Sequence, residues 1–286
     1  MEKKVTLFAH RGYRQKYPEN TMLAFREALK LDIDGIEIDV HMTNDYNIVI
    51  CHDATLDRTT DKHGHIGDRS LAEVREADAG IKFGEEFKGE KVPIFEEFLQ
   101  LIAPLKHIKL LLELKDYPEE FGDFAYVSCE KTLSLCKKYG VWGEDRLTVI
   151  TFSAGLCAWI KNRHRNEDVK IHGFYPKSQM KGSYNIDPYP FIDEVCIFQG
   201  KSGGASQTID PRYEWATGAK SLVVDKSVFD DFAIMGIKPC VYFSWNTDEE
   251  VYRKAYENGA LGFTCDDPYT CGIILDKIGA RPLKNK

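Results

Sequence analysis

Seven ionisable side chains in the first part of the chain have the types that phosphoryl chemistry needs: His10, Arg11, Glu37, Asp39, His52, Glu113 and Lys115. Three carboxylates with no cysteine among them make a hard oxygen set, suited to one divalent cation, Mg²⁺ or Ca²⁺. Arg11 and Lys115 add positive charge that suits a phosphate. The two histidines are left for proton transfer. A cation and Arg11 would neutralise the phosphoryl oxygens while one histidine takes a proton from the nucleophile and the other protonates the leaving oxygen, which is phosphodiester cleavage. Taken singly, each residue also has a plainer reading as a satisfied strand-end histidine or a solvated carboxylate. What decides between the readings is whether the fold brings all seven to one place.

The hydrophobic pattern supplies the positions. Residues 5–9 are an apolar run, and His10 and Arg11 follow it on a strand-to-helix loop. Asn20 or Thr21 then caps a helix over 22–31, whose Ala24, Ala28 and Leu31 recur at i, i+4 and i+7. Residues 35–41 alternate, with Ile36, Ile38 and Val40 on one face and Glu37, Asp39 and His41 on the other. A third apolar run, 48–51, ends in His52-Asp53, and a fourth, 109–115, puts Glu113 and Lys115 on one face.

Strand starts at Val5, Gly35, Ile48, Lys109, Leu147, Lys170, Ile237 and Ala260 number eight, and helix patterns over 95–102, 124–139, 154–165 and 248–258 separate most of the later ones. This predicts an α/β fold, a TIM (β/α)8 barrel forming one domain over 1–286. Residues 54–92 are polar, glycine-punctuated and carry one short helical patch, so they are expected as a small insertion after strand three, between it and its helix. Residues 176–221 read as long loops, with a strand near 195–198 and a turn at Gly203-Gly204. In a parallel barrel the loops at the C-terminal strand ends carry the chemistry, so the seven residues would meet at one mouth. An open doubly wound sheet fits less well, because no G-x-G-x-x-G or P-loop follows the first strand.

The 286 residues are 43% hydrophobic and 29% charged, enough for a sizeable core, and the net charge of −7 comes without a basic run. That pattern argues against nucleic acid or an anionic membrane as the main partner and favours a small molecule. No apolar stretch is long enough for stable membrane insertion, and the polar start leads into a strand rather than a secretory leader. A cytoplasmic protein is expected. The eight cysteines include no C-x-x-C and read as reduced thiols.

His10-Arg11-Gly12 with Pro18-Glu19-Asn20-Thr21, then Glu37-x-Asp39, His52-Asp53, the run Thr55-Leu-Asp-Arg-Thr-Thr60, Ile94-Phe-Glu-Glu97 and Glu113-Leu-Lys115 resemble, in order, the motifs of the glycerophosphodiester phosphodiesterase family. The resemblance implies a TIM barrel with a small insertion after strand three and a requirement for a divalent cation. It also implies hydrolysis of glycerophosphodiesters to glycerol 3-phosphate and an alcohol such as choline or ethanolamine. Carried over by position, it makes His10 and His52 the acid/base pair, Arg11 a phosphate contact, Lys115 an electrostatic support, and Glu37, Asp39 and Glu113 the metal ligands. A two-step route is expected, in which the substrate's own glycerol 2-hydroxyl attacks phosphorus and water then opens the cyclic phosphate.

The C-terminal half departs from the family pattern. Where the family tends to show W-T-x-N and T-D-x-P, this chain has Ser244-Trp-Asn-Thr247 and Thr264-Cys-Asp-Asp-Pro268. Trp245 is kept, as a substrate contact or as packing at the rim. His41 either shares the inward face of Glu37 and Asp39 or serves as a hydrogen-bonding residue at the strand end. Two other functions fit the same residues: a related phospholipase D-like enzyme acting on lysophospholipid or sphingolipid head groups, and a catalytically silent barrel used as a binding module.

Overall fold

Eight parallel strands close into a ring in the computed structural model, which describes residues 5–143, 146–197 and 225–283. The ring runs β1 (Thr6–His10), β2 (Gly35–Met42), β4 (Lys109–Leu114), β5 (Leu147–Ile150), β6 (Lys170–Tyr175), β7 (Glu194–Ile197), β8 (Lys238–Tyr242) and β9 (Gly262–Cys265), and β9 returns to β1. Helices α1 (Met22–Ala28), α3 (Phe95–Ile102), α5 (Asp123–Lys138), α6 (Ala154–Arg163), α7 (Lys226–Ile234), α8 (Glu249–Asn258) and α9 (Pro268–Lys277) follow the strands, the short α4 (Pro118–Phe121) leads into α5, and between β6 and β7 only two short 3-10 turns stand in place of a helix. This is a TIM barrel, and both faces of its strands are buried, as a parallel sheet covered by helices requires.

One strand is not where the sequence pattern put it. The apolar run at Ile48–Ile50 forms β3, but it pairs antiparallel with β2 and so turns back along the rim instead of joining the ring. The eighth ring strand is β7, which overlaps the strand expected near 195–198 but stands outside the eight strand starts because no helix pattern surrounds it in the sequence. β3 looked like a barrel strand because it too is buried on both faces. Residues 54–92 therefore follow the third strand in chain order but the second strand of the barrel. They carry α2 (Leu71–Arg75), and their Leu56, Ile66, Val74, Ala77, Ala79 and Val92 gather with Val49 and Cys51 in an apolar cluster separate from the main core. Phe198 and the Gly203-Gly204 pair lie outside the described residues.

The first strand-to-helix loop is held by local chemistry. Thr21 is the N-cap of α1: its hydroxyl accepts from the Ala24 N–H at 3.2 Å and donates to the Pro18 carbonyl at 2.7 Å. Gly12 has φ +81°, and a Cβ there would meet the Ala24 backbone at 2.8 Å, so only glycine lets this loop lie against the start of the helix. At the opposite end of the barrel, a Cβ on Gly35 would sit 2.4 Å from the Lys109 carbonyl oxygen and 2.5 Å from the Phe8 ring. The bare backbone makes room for Phe8 in the barrel interior.

Candidate active site

Strand register sets the site. β1 and β2 align His10 with Glu37, and β2 and β4 align Asp39 with Glu113. Ile36 and Ile38 on the alternate face are fully buried in the apolar core, which leaves Glu37, Asp39 and Glu113 facing inward. Single carboxylate oxygens from these three lie within 4.8 Å of one another, and all three residues are buried. Glu37 Oε1 and Asp39 Oδ1 have no hydrogen-bond partner among the described residues. Three converging buried carboxylates, two of them with an oxygen that lacks a hydrogen bond, are a donor set for a hard cation, so the residues fit the one the resemblance implies.

Two protein cations compensate part of this charge. Arg11 Nε lies 3.2 Å from Asp39 Oδ2, and Lys115 Nζ lies 2.7 Å from Glu113 Oε1 and 3.5 Å from Asp39 Oδ1. The balance is uneven. Burial, with Asp39 and Glu113 close by, pushes the Glu37 carboxyl well above the usual range, whereas Arg11 overcomes the effect of burial and holds Asp39 well below it. Glu113 is raised by burial although Lys115 opposes the shift, and Lys115 itself is raised, against burial, by Glu113 and Asp39.

The two histidines share one arrangement. His10 Nδ1 is 2.6 Å from Asp266 Oδ1, and His10 Nε2 is 3.8 Å from Glu37 Oε2. His52 Nδ1 is 2.5 Å from Asp53 Oδ1, and His52 Nε2 is 3.0 Å from Lys115 Nζ. Each ring thus gives Nδ1–H to a carboxylate outside the triad and turns Nε2 toward the triad and its lysine. Arg14 NH1 also approaches His10 Nδ1, at 3.3 Å, but the shorter carboxylate contact assigns that nitrogen its proton. Burial and then Arg11 lower the His10 imidazole to about 4, and burial, Arg11 and Lys115 take His52 well below its ordinary value.

A surrounding layer fixes these groups. Glu19 accepts from Arg11 at 2.8 Å and from Arg58 at 2.7 Å, and it pairs with Arg14 at 3.1 Å. Asn20 donates to Asp39 Oδ2 at 2.9 Å, and its backbone N–H bonds the Arg11 carbonyl at 3.0 Å. Arg11, Asn20 and Ser244 have positive φ of 55°, 56° and 51°, so the backbone at the mouth is held in a conformation that non-glycine residues rarely take. The segment 18–21 thus positions the loop that carries His10 and Arg11.

The structure gathers His10, Arg11, Glu37, Asp39, His52, Glu113 and Lys115, seven of the eight sequence candidates, into one network. Trp245 is the exception: it is half-buried just beyond β8, and among the described residues it joins none of these hydrogen bonds. His41 takes the strand-end part. Its Nδ1 is 2.7 Å from Asp116 Oδ1 and its Nε2 is 3.3 Å from the His52 carbonyl oxygen, while Asp116 Oδ2 accepts from the Met42 N–H at 2.9 Å and the Ser128 hydroxyl at 2.6 Å. Asp266 was missed by the sequence reading. It also accepts from Ser244 Oγ at 2.9 Å, and Tyr242 packs its ring 4.4 Å from His10. The one sequence signal was the altered Thr264-Cys-Asp-Asp-Pro268 segment itself.

Fold and site together define a (β/α)8 barrel whose C-terminal mouth carries a buried carboxylate triad, two cations and two carboxylate-tethered histidines. The model of the glycerophosphoryl diester phosphodiesterase family matches residues 10–184, and the chain belongs to that family. It is similar to the glycerophosphodiester phosphodiesterase of Caldanaerobacter subterraneus subsp. tengcongensis, 40% identical over 151 residues that make up 52% of this chain and 59% of that protein. It is also similar to the enzyme of that name from Bacillus altitudinis, 36% identical over 53% of this chain and 60% of the relative. The matched stretch thus spans somewhat over half the length of these curated relatives. Among solved structures, an Oleispira antarctica phosphodiesterase in complex with the product sn-glycerol-3-phosphate superposes with a TM-score of 0.71 at 23% identity, covering 95% of this chain and 96% of that one. The glycerophosphodiester phosphodiesterase of Agrobacterium tumefaciens superposes with a TM-score of 0.66 at 21% identity, covering 93% and 98%. At these identities the superpositions bear on the fold.

Proposed function

We propose that this protein hydrolyses glycerophosphodiesters to glycerol 3-phosphate and an alcohol, with a divalent cation, Mg²⁺ or Ca²⁺, and acid/base catalysis by His10 and His52. The observation that carries this reading is the shared orientation of the histidines: both tie Nδ1 to a carboxylate and aim Nε2 at the buried triad. Glu37, Asp39 and Glu113 would hold the cation, which when bound draws charge from the phosphoryl oxygens. Arg11 and Lys115 bind and orient the phosphate from the same layer. Trp245 contacts the substrate at the rim. The reading treats 1–286 as one barrel domain and 54–92 as an insertion within it.

The reaction proceeds in two steps. One histidine takes the proton of the glycerol 2-hydroxyl as that oxygen attacks phosphorus, and the other gives a proton to the departing alcohol. Water then adds to the cyclic phosphate with the proton transfers reversed, returning the 2-hydroxyl and leaving glycerol 3-phosphate. The eight free cysteines, all buried, support a reducing, cytoplasmic setting.

The test is release of glycerol 3-phosphate from a panel of glycerophosphodiesters, and of the head-group alcohol from one lysophospholipid, with Mg²⁺, with Ca²⁺ and with chelator, by the parent and by His10→Ala. Turnover that needs the cation and is lost in His10→Ala supports the reading. Equal turnover by His10→Ala rejects the histidine mechanism, and no turnover of any diester rejects the enzymatic assignment. A 2-deoxy substrate analogue hydrolysed as fast as the parent substrate would remove the two-step route while leaving the hydrolysis intact.

A further inference from the structure

The inward faces of β6, β7 and β8 carry a second group of ligating side chains: His172, Glu194 and Cys240, all buried. They lie deep in the barrel. Cys240 aligns with Gly262, which aligns with Thr6, four residues before His10 on β1. Barrel interiors at this depth are ordinarily filled by branched aliphatic side chains, so a histidine, a carboxylate and a thiol converging here stand out.

Their geometry is specific. His172 Nδ1 lies 3.3 Å from Glu194 Oε2, Cys240 Sγ lies 4.0 Å from the same oxygen, and one donor atom from each residue falls within 4.8 Å of the other two. The other oxygen, Oε1, is engaged by Lys238 Nζ at 3.2 Å. One face of the carboxylate is therefore anchored and the other is presented to imidazole and thiol together.

We propose that His172 Nδ1, Glu194 Oε2 and Cys240 Sγ form a second cation site, of zinc character, inside the barrel and distinct from the Glu37, Asp39 and Glu113 triad. The donor set selects for it: imidazole and thiolate with one carboxylate favour Zn²⁺ over Mg²⁺ or Ca²⁺, which take oxygen ligands. Usual zinc bond lengths and tetrahedral angles put ligand atoms about 3.3–3.7 Å apart. The nitrogen–oxygen spacing already matches, and the sulfur, 4.0 Å from the carboxylate oxygen and within 4.8 Å of the nitrogen, closes in on both when the ion binds. Lys238 acts as the outer partner that fixes the carboxylate. On binding, Cys240 releases its thiol proton to solvent as a zinc–thiolate bond replaces the S–H bond, and His172 takes the tautomer with its proton on Nε2, which frees the Nδ1 lone pair and the Glu194 oxygen it had bonded for the ion.

A small cavity of about 40 Å³ borders His172 and Cys196 and reaches His10, Glu37 and Glu113. Of the three ligating residues only His172 lines this cavity, so it is the one that faces the space shared with the mouth. The bound ion would link three successive strands of the ring, and the readouts are metal content, thermal stability and a thiolate signature.

The full chain is produced in medium supplemented with Zn²⁺ or Co²⁺, so that the ion is present while the barrel closes. The parent is expected to retain zinc through Mg²⁺ exchange and to melt at a higher temperature with zinc than without. Its cobalt form should show a thiolate-to-Co²⁺ charge-transfer band. Cys240→Ser should lose the band, and Glu113→Gln, which alters the other site, should keep it. If Cys240→Ser does not fold, Glu194→Gln and His172→Gln provide the same test with the thiol intact, and each should lose retained zinc. A parent without retained zinc or without the band overturns the site, as does a band that persists in Cys240→Ser.

Discussion

Asp266 lies 2.6 Å from His10 Nδ1, and this contact decides which face of the imidazole is available for chemistry. With Nδ1–H given to the carboxylate, Nε2 keeps its lone pair on the side of the triad. Asp266→Asn removes the charge that fixes this tautomer while preserving shape. The expected result is a fall in kcat on the order of 10²-fold with little change in KM, measured as glycerol 3-phosphate release. An unchanged kcat would show that the tether has no part in catalysis.

The same carboxylate carries a pH-dependent share of stability. Against the effect of burial, Arg14 and then His10 bring Asp266 from 3.8 down to about 2. A depressed carboxyl stabilises the fold above its unfolded value and loses that contribution as pH falls through its folded value. The window is therefore roughly pH 4 down to 2, and the contribution is on the order of 2 kcal/mol. Chemical denaturation should give a parent whose stability drops across this window faster than that of Asp266→Asn. Parallel curves would contradict the assignment.

Asp116 holds the other histidine's loop from behind. Its two oxygens serve His41, the Met42 N–H and the Ser128 hydroxyl, and His41 reaches on to the His52 carbonyl. Asp116→Ala strands three buried donors, a loss of about 3 kcal/mol. Urea unfolding should report that loss with an unchanged m value. Because the His52 backbone loosens as well, kcat should fall even at temperatures where the variant remains folded.

Metal removal should act on stability and activity together. Without a cation, Glu37, Asp39 and Glu113 crowd three buried acidic groups against Arg11 and Lys115. Chelator is expected to stop product release and lower Tm, and Mg²⁺ or Ca²⁺ to restore both. Glu37→Gln relieves part of the crowding, so in chelator it should melt above the chelated parent, yet it should need roughly 10-fold more cation for half-maximal activity. A chelated parent as stable as the cation-loaded one would argue that the triad binds no ion.

The first 115 residues were readable because their chemistry is written into local pattern. Glu37 and Asp39 alternate with buried isoleucines, and His10, His52 and Lys115 each close an apolar run. Asp266 was not readable on those terms. It precedes Asp267, which caps α9 by accepting from the Thr270 N–H, so the Asp-Asp-Pro segment is explained by helix initiation alone. Its partner His10 is 256 positions away. β3 failed for a different reason: burial on both faces produces the same apolar run whether a strand joins the ring or folds back upon it. β7 was legible as a short apolar run near 195–198, but without a helix pattern around it that run was not counted into the ring.

Arg11 gives the most direct test of how the mouth is assembled. Its side chain is 1% exposed and spans two carboxylates on different elements: NH1 to Glu19 at 2.8 Å and Nε to Asp39 at 3.2 Å. Its backbone N–H also bonds Glu37 Oε2 at 3.1 Å. A planar guanidinium can address two acceptors along different edges, whereas an ammonium is a single point of charge. Arg11→Lys therefore keeps the net charge of the site and the backbone bond to Glu37, but it cannot hold Glu19 and Asp39 together. If charge alone were needed to draw the phosphate, KM and kcat would stay near parent values. If the fork also fixes Asp39 within the triad, as its two contacts indicate, kcat/KM should fall at least about 10²-fold and the cation concentration for half-maximal activity should rise. Measuring both quantities separates the two roles, because only the loss of geometry at Asp39 shifts the cation requirement.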